Sequence, residues 1–512
     1  MTSLRAATAA LFASTVLAGV VNIRRQASVV ETEALQAAIT REALQSRAEK
    51  LFEVAGLSEA ELGHPTRAIG TPGHQGTLDY ISSEIAALGE YYSLTNQTFS
   101  TSSGSIAASK LTIANTTLTD AIPFQLSPPT ADKQAVSGKI VLVNNLGCEE
   151  ADYPDELLDN IALISRGTCP FGTKSELAGK SGAVAAIIYN NAAGNLSGTL
   201  GTPVPDHVAT FGISQDEAAS FLAQLKNGTS LSGSALMDSE VNTIETYNII
   251  AKTTGGDQDN CIIAGAHSDS VPEGPGINDD GTGTITLLEV ASQLSKFTVN
   301  NCVMFAWFSA EEVGLVGSDF LADSLSPEEN QKIRLMLDYD MLASPNYAYQ
   351  IYNSTDDDNP AGSQEIRDLY IDWYESKGIP YTFIEFDGRS DYDGFIRNGI
   401  PASGIATGAE GVKTEEEASI FGGEAGAWYD PCYHQLCDDV NNVDYTAWEN
   451  NAKLVAHSVA TYANSLEGFP ERVPAGNGTV LRRSVLPDNV KPAKISSLKH
   501  KDALYHGPML VM

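Results

Sequence analysis

The sequence predicts an α/β protein in which a mostly parallel, mixed sheet is flanked by helices and interrupted by a smaller β-rich domain. From about residue 246 to 465, strand-like apolar runs alternate with segments of helical periodicity, the pattern of a sheet covered by helices on both faces. Between 118 and 240 the chain changes to short β-rich runs punctuated by glycine. In addition, three of the later apolar runs end directly in histidine or acidic residues, as expected where parallel strands present a site at their carboxyl ends.

Length and composition describe an acidic globular chain. Its 512 residues leave room for two or three domains, at roughly 100–200 residues per domain. The 65 acidic residues outnumber the 31 basic ones, for a formal net charge of −34. A phosphate backbone would be repelled by this charge, so nucleic acid is excluded as a partner.

The N-terminus has the features of a secretory signal peptide. Arg5 precedes a short, alanine-rich apolar stretch that ends in small residues at Ala18–Gly19, so we expect 1–19 to be removed. A pro-region over 20–45 is a further hypothesis, with Arg24–Arg25 as its processing point. No other segment is long and apolar enough to span a membrane. The chain is therefore predicted to be secreted and extracellular.

Sequons and cysteines agree with that route. Six Asn-x-Ser/Thr sequons predict glycosylation, at Asn96, Asn115, Asn195, Asn227, Asn353 and Asn477. Two of the six cysteines can close a tight loop in "PCYHQLC", and two others open apolar runs that would form neighbouring parallel strands. The expected disulfides are Cys432–Cys437, Cys261–Cys302 and, from the two that remain, Cys148–Cys169. Free buried thiols are the alternative.

The candidate site residues of the second half lie at or near the ends of predicted strands. His267 opens "HSDSVPEGPGINDDGTG" directly after the run "CIIAGA". Glu311 and Glu312 follow "CVMFAWFSA", Asp340 closes "IRLMLDYD", and His434 lies in "CYHQLC". Because the carboxyl ends of parallel strands meet at one edge, we expect these groups to gather there.

Two histidines and several carboxylates without a thiolate suit zinc in a catalytic site. Two ions fit better than one, since Asp279 is placed to bridge a pair of metals that each have one histidine. One of the adjacent glutamates can then bind metal while the other handles the proton of a water molecule. Asp338 competes with Asp340, because strand alternation puts both on one side of the sheet; the strand-end position favours Asp340.

The inserted stretch has motifs of its own. "RGTCPF", Lys174 and "GAVAAIIYNN" lie in it, and its single His207 has no grouping with carboxylates. On these motifs, residues 118–240 resemble the protease-associated (PA) domain. The resemblance implies a non-catalytic module, inserted into a peptidase, that acts as a lid or controls access of the substrate.

Five motifs of the second half resemble, in order and spacing, those of secreted di-zinc aminopeptidases of the leucine aminopeptidase and aminopeptidase Y type: "HSDSVPEGPGINDDGTG", "FSAEEVGLVGS", "MLDYDMLASPN", "DGRSDYDGF" and "PCYHQLCDD". The resemblance implies the zinc-dependent exopeptidase fold and an aminopeptidase that removes single residues, large apolar ones such as leucine, from peptide N-termini. With it, the expected organisation is a signal peptide at 1–19, a pro-region at 20–45, a peptidase domain at 46–117 and 241–467, a PA domain at 118–240 and a C-terminal tail at 468–512.

The resemblance also implies a role for each residue of the site. Glu311 would be the general base that takes a proton from a water shared by two zinc ions, and Tyr433 would stabilise the oxyanion. One zinc would be bound by His267 and Asp340, the other by Glu312 and His434, with Asp279 bridging. Asp269 would hydrogen-bond the His267 imidazole. Arg389 would help place the substrate, and Met341 and Phe421 are candidates for an apolar pocket.

Three other functions remain open. A carboxypeptidase of related fold would need a positive pocket, for which only Arg389 is an obvious candidate. Glutaminyl cyclase, another relative, uses one zinc, against which the full set of five ligands argues. A receptor-like binding protein should have lost ligands that this chain keeps. Peptide N-termini are thus the expected partners, and a monomer is favoured while the oligomeric state is left open.

Overall fold

The structure is a computed structural model, and it describes residues 28–191, 194–357 and 359–472. The predicted signal peptide, the sequon at Asn477 and residues 473–512 of the predicted tail lie outside the described residues.

The described strands join into one extended sheet. They are β1 Tyr92–Ile113, β2 Thr116–Leu118, β3 Ile122–Pro123, β4 Val136–Leu142, β5 Ile161–Ser165, β6 Ala185–Tyr189, β7 Thr210–Ile213, β8 Ser232–Thr253, β9 Asp257–His267, β10 Asn301–Phe308, β11 Ile333–Tyr339, β12 Gln350–Tyr352, β13 Thr382–Ile384 and β14 Ala402–Ala406. The order along the sheet is β13-β12-β14-β11-β9-β10-β8-β4-β5-β6-β7-β3, with β1 and β2 beside β8.

The described helices cover this sheet. They are α1 Thr32–Ala38, α2 Arg41–Ala55, α3 Glu59–Leu62, α4 Pro72–Ala86, α5 Phe171–Lys180, α6 Gln215–Lys226, α7 Thr282–Leu294, α8 Val316–Ser324, α9 Pro327–Lys332, α10 Ser363–Lys377, α11 Tyr392–Arg397, α12 Glu415–Phe421 and α13 Tyr445–Asn464.

The second half is the mostly parallel, mixed sheet that was predicted. Strand β9 is parallel to β10 and β11, and β11 to β14, whereas β8 and β12 add antiparallel neighbours. Alternate residues of β9 enter different cores: Ile262 and Ala264 pack below α2, α4, α7 and α13, while Ile263 packs with α8 and α11 on the other face. A strand buried on both faces reads as a continuous apolar run, which is why "CIIAGA" has no polar alternation.

The inserted domain has its own parallel strands, β4 to β7, and two cores of its own. A long antiparallel ribbon joins it to the larger sheet, because β1 and β8 pair from Tyr92 opposite Thr253 to Ile113 opposite Gly233. Strand β8 thereby borders β10 at one end and β4 at the other. The sequence analysis did not predict this ribbon, and β8 runs without a break across residue 240.

The first described helices, α1 and α2, are separated by Ile39 and Thr40. The Thr40 side chain caps α2 by accepting from the Ala43 N–H. Val30 and Leu35 are fully buried in the same core as α13. The described part of the expected pro-region therefore packs inside the larger domain.

Other predicted features can be located as well. The structure contains the disulfides Cys148–Cys169, Cys261–Cys302 and Cys432–Cys437, and Cys261 lies opposite Cys302 in the β9–β10 register. The sequon asparagines within the described ranges, Asn96, Asn115, Asn195, Asn227 and Asn353, are all exposed. Within those ranges, no helix is both long enough and apolar enough to cross a membrane.

Candidate metal centre and active site

Three neighbouring strands deliver the candidate ligands to one edge of the sheet. Strand β9 ends at His267, and the parallel register places Phe308, the end of β10, beside it. Glu311 and Glu312 follow β10 after a turn of two residues, and Asp340 is the first residue after β11. The sheet thus brings together groups that are far apart in the sequence.

Asp279 lies between two histidines. Its Oδ1 is 3.3 Å from His267 Nε2 and its Oδ2 is 3.0 Å from His434 Nε2. The further neighbour of His267 is Asp340, with Oδ1 at 3.7 Å, and that of His434 is Glu312, with Oε2 at 3.2 Å. Each histidine therefore has one carboxylate of its own and shares Asp279 with the other.

These residues fit metal ions. Three buried atoms that face this space have no hydrogen-bond partner among the described residues: His267 Nε2, Glu312 Oε1 and Asp340 Oδ1. Ligand atoms of His267, Asp279 and Glu312 lie within 4.8 Å of one another, as do those of His267, Asp280 and Asp340. Buried polar atoms are costly without a partner, and an imidazole and carboxylate donor set suits zinc.

The carboxyl group of Asp280, which the sequence analysis did not single out, holds the backbone of the site. It accepts hydrogen bonds from the N–H groups of His267 at 3.2 Å, Gly283 at 2.8 Å and Met341 at 3.2 Å. One buried side chain thus fastens the end of β9, the start of α7 and the turn after β11. The peptide bond between Asp279 and Asp280 is cis.

The expected contact of Asp269 needs a correction. It is the backbone carbonyl of Asp269 that lies 3.2 Å from His267 Nδ1, while the carboxylate is 3.9 Å away. The carboxylate instead accepts from the N–H groups of Glu311 at 3.2 Å and Glu312 at 3.4 Å. The local turn brings the carbonyl closer than the side chain, so Asp269 orients the two glutamates more directly than the imidazole.

Burial and neighbouring charges shift the pKa values of the site residues in opposite directions. Burial alone would lower the pKa of His267, but Glu311, Asp279 and Asp340 raise it well above its ordinary value. Burial would raise the pKa of Asp279, yet the two imidazoles beside it, those of His267 and His434, hold it below the usual range. For Glu311, burial raises the pKa, with His267 opposing and Glu312 adding to the shift.

Asp340 is oriented by a hydrogen bond from a neighbouring serine. Ser390 Oγ donates to Asp340 Oδ2 at 3.0 Å. Asp338, its competitor, is fully buried and takes no part in the ligand clusters found among the described residues. Burial raises the pKa of the nearby Asp391 to about 7, against the effect of His267. The geometry favours Asp340 over Asp338 as the ligand from β11.

Tyr433 and His434 share the loop that Cys432–Cys437 closes. The two rings stack with centroids 3.8 Å apart and planes at 24°. Burial and the neighbouring Glu410 raise the pKa of Tyr433 well above its ordinary value, so its phenol keeps the proton and can donate a hydrogen bond.

A pocket opens beside Asp340 and Tyr433. Its walls contain Asp340, Met341, Gln350, Tyr352, Ile384, Glu385, Asp387, Arg389, Ala406, Gly408, Ala409 and Tyr433. Met341 is therefore in the pocket, as expected. Arg389 is there too, and its Nη2 pairs with Glu410 at 3.0 Å. Phe421 is not among the lining residues; its ring packs on that of Tyr349, with the centroids 6.3 Å apart.

A mostly parallel sheet that gathers imidazoles and carboxylates at the carboxyl ends of its strands has the architecture of a metal-dependent hydrolase. Comparison with known proteins narrows this class. The profile of peptidase family M28 matches residues 248–459, and that of the PA domain matches residues 136–221. The chain is 49% identical to aminopeptidase Y of Saccharomyces cerevisiae over 453 residues, which cover 86% of this chain and 82% of that protein. The chain therefore belongs to peptidase family M28 and is an aminopeptidase with an inserted PA domain.

Solved structures share the fold. An aminopeptidase from Aneurinibacillus sp. strain AM-1 superposes with a TM-score of 0.70 at 28% identity, covering 87% of this chain and 98% of that one. BSAP, a zinc aminopeptidase from Bacillus subtilis, superposes with a TM-score of 0.59 at 23% identity, covering 85% of this chain and 98% of its own. At that identity the second likeness concerns the fold alone.

Proposed function

We propose that this enzyme is a secreted aminopeptidase with two zinc ions that releases a large apolar residue, such as leucine, from the N-termini of peptides. The observation that carries the proposal is the position of Asp279, whose two carboxylate oxygens each face a different histidine. His267 and Asp340 would complete one zinc site, and His434 and Glu312 the other. Zinc bound by these residues would supply polarisation of the scissile carbonyl and a lower pKa of water.

Glu311 moves the proton in this proposal. Its Oε2 lies 3.9 Å from His267 Nε2, beside the ligands but outside the set that completes either site. The carboxylate takes a proton from the attacking water and later delivers it to the leaving amine. Two backbone N–H groups, those of Glu311 and Glu312, are fixed by Asp269, which keeps the Glu311 side chain in reach of the reacting atoms.

Tyr433 stabilises the developing oxyanion. Its phenol lines the pocket next to His434, and its raised pKa keeps the proton available for donation. A donor that is already in place when negative charge develops lowers the barrier without reorganisation.

The substrate's free amine is expected to bind near Asp340 and Asp387, acidic members of the pocket wall. An ammonium group is attracted to that negative field, and an internal peptide bond has no such charge to offer. This accounts for cleavage at chain ends only. Arg389 is held by Glu410 at the same wall and would help to place the peptide.

The lining of the pocket favours peptide substrates with a large first residue. Met341, Tyr352 and Ile384 supply apolar walls, which favours leucine or methionine. A basic first residue is a second candidate, because Gln350 is 1% exposed and its Oε1 has no hydrogen-bond partner among the described residues, while Glu385 also lines the pocket. The ratio of kcat/KM for leucine and lysine 4-nitroanilides separates the two preferences.

Disulfides and exposed sequon asparagines support the secretory route. The domain limits given above also remain part of the proposal, with the PA domain as a non-catalytic module that restricts access. Its match at residues 136–221 supports that placement.

The test is hydrolysis of leucine 4-nitroanilide beside its N-acetylated form, before and after chelation and after return of zinc. We expect cleavage of the free-amine substrate alone, lost with the chelator and recovered with zinc. Cleavage of the acetylated form, or activity that survives complete metal removal, would contradict the proposal. Release of C-terminal residues instead would favour a carboxypeptidase, and zinc binding without any hydrolysis a binding protein.

A further inference from the structure

The segment that joins His267 to Asp279 has no strand or helix between the end of β9 and Ile277. Most of it is nevertheless buried, including Gly274, Pro275 and Gly276. Buried peptide groups outside regular structure need partners for their N–H and C=O groups. Two buried side chains from distant parts of the chain, Arg67 and Asp438, provide many of these partners.

Arg67 holds the carbonyl side of this segment. It lies in the loop before α4, and its side chain is fully buried. Its Nε donates to the carbonyl of Pro275 at 2.8 Å, its Nη2 to that of Gly276 at 2.5 Å, and its Nη1 to that of Ser268. Nη2 also lies 3.5 Å from the carbonyl oxygen of Asp279. The guanidinium charge is thus offset by the dipoles of the segment that carries the ligand.

Asp438 holds the amide side. It follows Cys437 and is 1% exposed. Its Oδ1 accepts from the N–H of Asn278 at 2.9 Å, and its Oδ2 from the N–H of Asp279 at 3.1 Å. Its own backbone carbonyl accepts from the N–H of Ile277 at 3.0 Å. The loop that carries Tyr433 and His434 is therefore fastened to the segment that carries Asp279.

Neighbouring side chains support this second attachment. Asp430 Oδ2 accepts from Asn278 Nδ2 at 2.6 Å, and its Oδ1 accepts from the N–H of Cys432 at 2.8 Å. Asn442 Nδ2 donates to both Asp430 Oδ1 at 2.8 Å and Asp438 Oδ1 at 3.1 Å. The disulfide loop and the Asp279 segment thus share one buried polar network, and a shift of either would move ligands of both zinc sites.

We propose that Arg67 and Asp438 are positioning residues that clamp the Asp279 segment from its carbonyl and amide sides, and so set the affinity of the site for zinc. This rests on the two-zinc function proposed above. Partners that orient a metal ligand are worth about 10–100-fold in metal affinity or activity. The effect should reach both ions, because Asp279 faces both histidines.

The test uses the full chain with Asp438→Asn and Arg67→Lys. In Asp438→Asn one carboxylate oxygen becomes an amide NH₂ group, which would face a backbone N–H group instead of accepting from it. In Arg67→Lys the guanidinium, which donates to several carbonyls at once, becomes a single ammonium group that cannot reach them all. We expect zinc affinity, measured by competition with a chelator, to fall about 10–100-fold in each variant. At subsaturating zinc, kcat should fall in parallel while KM changes less than about threefold.

Matched controls exist elsewhere in the chain. Asp152, in the PA domain, likewise accepts from two backbone N–H groups, those of Cys148 at 3.0 Å and Glu149 at 3.1 Å. Arg472 donates to the backbone carbonyls of Asn330 and Ile333, near the start of β11 and so at the end of that strand opposite to Asp340. Asp152→Asn and Arg472→Lys should leave zinc affinity within about twofold of the unchanged protein, since neither touches the Asp279 segment.

Melting temperatures separate positioning from general support of the fold. Zinc that binds the native state raises the melting temperature, by an amount that grows with affinity. Positioning predicts a smaller zinc-induced rise in the clamp variants, with metal-free melting temperatures close to that of the unchanged protein. Unaltered zinc affinity in both folded variants, or loss of the metal-free fold in both, would overturn the clamp. A native chain that binds no zinc would refute the proposed function itself.

Discussion

The carboxyl edges of the two groups of parallel strands differ in how their polar side chains are satisfied. In the PA domain, Arg166 follows β5 and Asn190 follows β6, and Arg166 Nη1 donates to Asn190 Oδ1 at 3.1 Å. In the peptidase sheet, His267 ends β9 and Asp340 follows β11, and an atom of each faces the site without a hydrogen-bond partner among the described residues. The two edges have a similar layout, but the PA-domain edge holds a hydrogen-bonded pair and the peptidase edge holds a cluster with unpartnered atoms.

Strand order therefore builds the edge, and the residues placed there decide what the edge does. The guanidinium of Arg166 has no lone pair to offer a metal ion, and its positive charge repels one. Buried groups that do not pair are costly unless a ligand completes them. Changes at the peptidase edge should therefore affect turnover, while changes in the interior of the PA domain should affect stability at most.

The largest contrast is expected between two histidines. His267→Ala removes a proposed zinc ligand. The charge stabilisation of several kcal/mol that metal ions supply corresponds to about a thousandfold in kcat. His207→Ala in the PA domain should leave kcat within about twofold, since His207 has no place in the ligand clusters found among the described residues. Steady-state hydrolysis of leucine 4-nitroanilide checks both. If His207→Ala lowered kcat as much as His267→Ala does, the proposed difference between the two edges would be wrong.

A smaller contrast is expected between two tyrosines. Tyr433→Phe removes a phenol that lines the pocket, and loss of one oxyanion donor costs about a hundredfold or more in kcat. Tyr153→Phe removes a phenol that donates to Gly147 and Lys174 carbonyls inside the PA domain. It should lower the melting temperature and leave kcat and KM unchanged. If Tyr433→Phe changes KM alone, its phenol binds substrate rather than the oxyanion.

The smallest effect on turnover is expected at Lys174. Burial lowers the pKa of Lys174 to about 8, with Asp152 opposing the shift, whereas an unfolded lysine has a pKa of about 10.4. Between about pH 8 and 10 the unfolded chain therefore binds more protons, and the free energy of unfolding rises with pH. Lys174→Met should reduce that rise by about 1–3 kcal/mol, measured by urea unfolding at both pH values, with kcat within about twofold. An identical pH dependence in the variant would mean that burial does not perturb this lysine.

Much of this architecture could be predicted from the sequence because its signals are local. The uninterrupted apolar run before His267 indicated a strand buried on both faces, and the motif at its end indicated where the ligands meet. Alternation of strand and helix then predicted a mostly parallel sheet covered by helices, though not the order of its strands. These predictions needed only neighbouring residues and the rule that parallel strands share an edge.

Other features depend on contacts between distant residues. Nothing near Arg67 in the sequence indicates that its side chain binds the segment before Asp279, some two hundred residues later. Asp438 stood in a recognised motif, but its hydrogen bonds to backbone amides leave no periodic signal. Phe421 was a candidate for the pocket but is not among the residues that line it, and an aromatic residue at the end of a helix looks the same in the sequence whichever way the helix lies.

The strand ends are proposed to form one two-zinc centre in which Glu311 moves the proton. The most direct measurement combines zinc content per chain with turnover, for the unchanged enzyme and for Glu311→Gln. The account predicts two zinc ions in both proteins and a kcat about 10²–10⁴-fold lower in the variant. Full turnover by Glu311→Gln, or a native enzyme that is fully active with a single zinc ion, would contradict it.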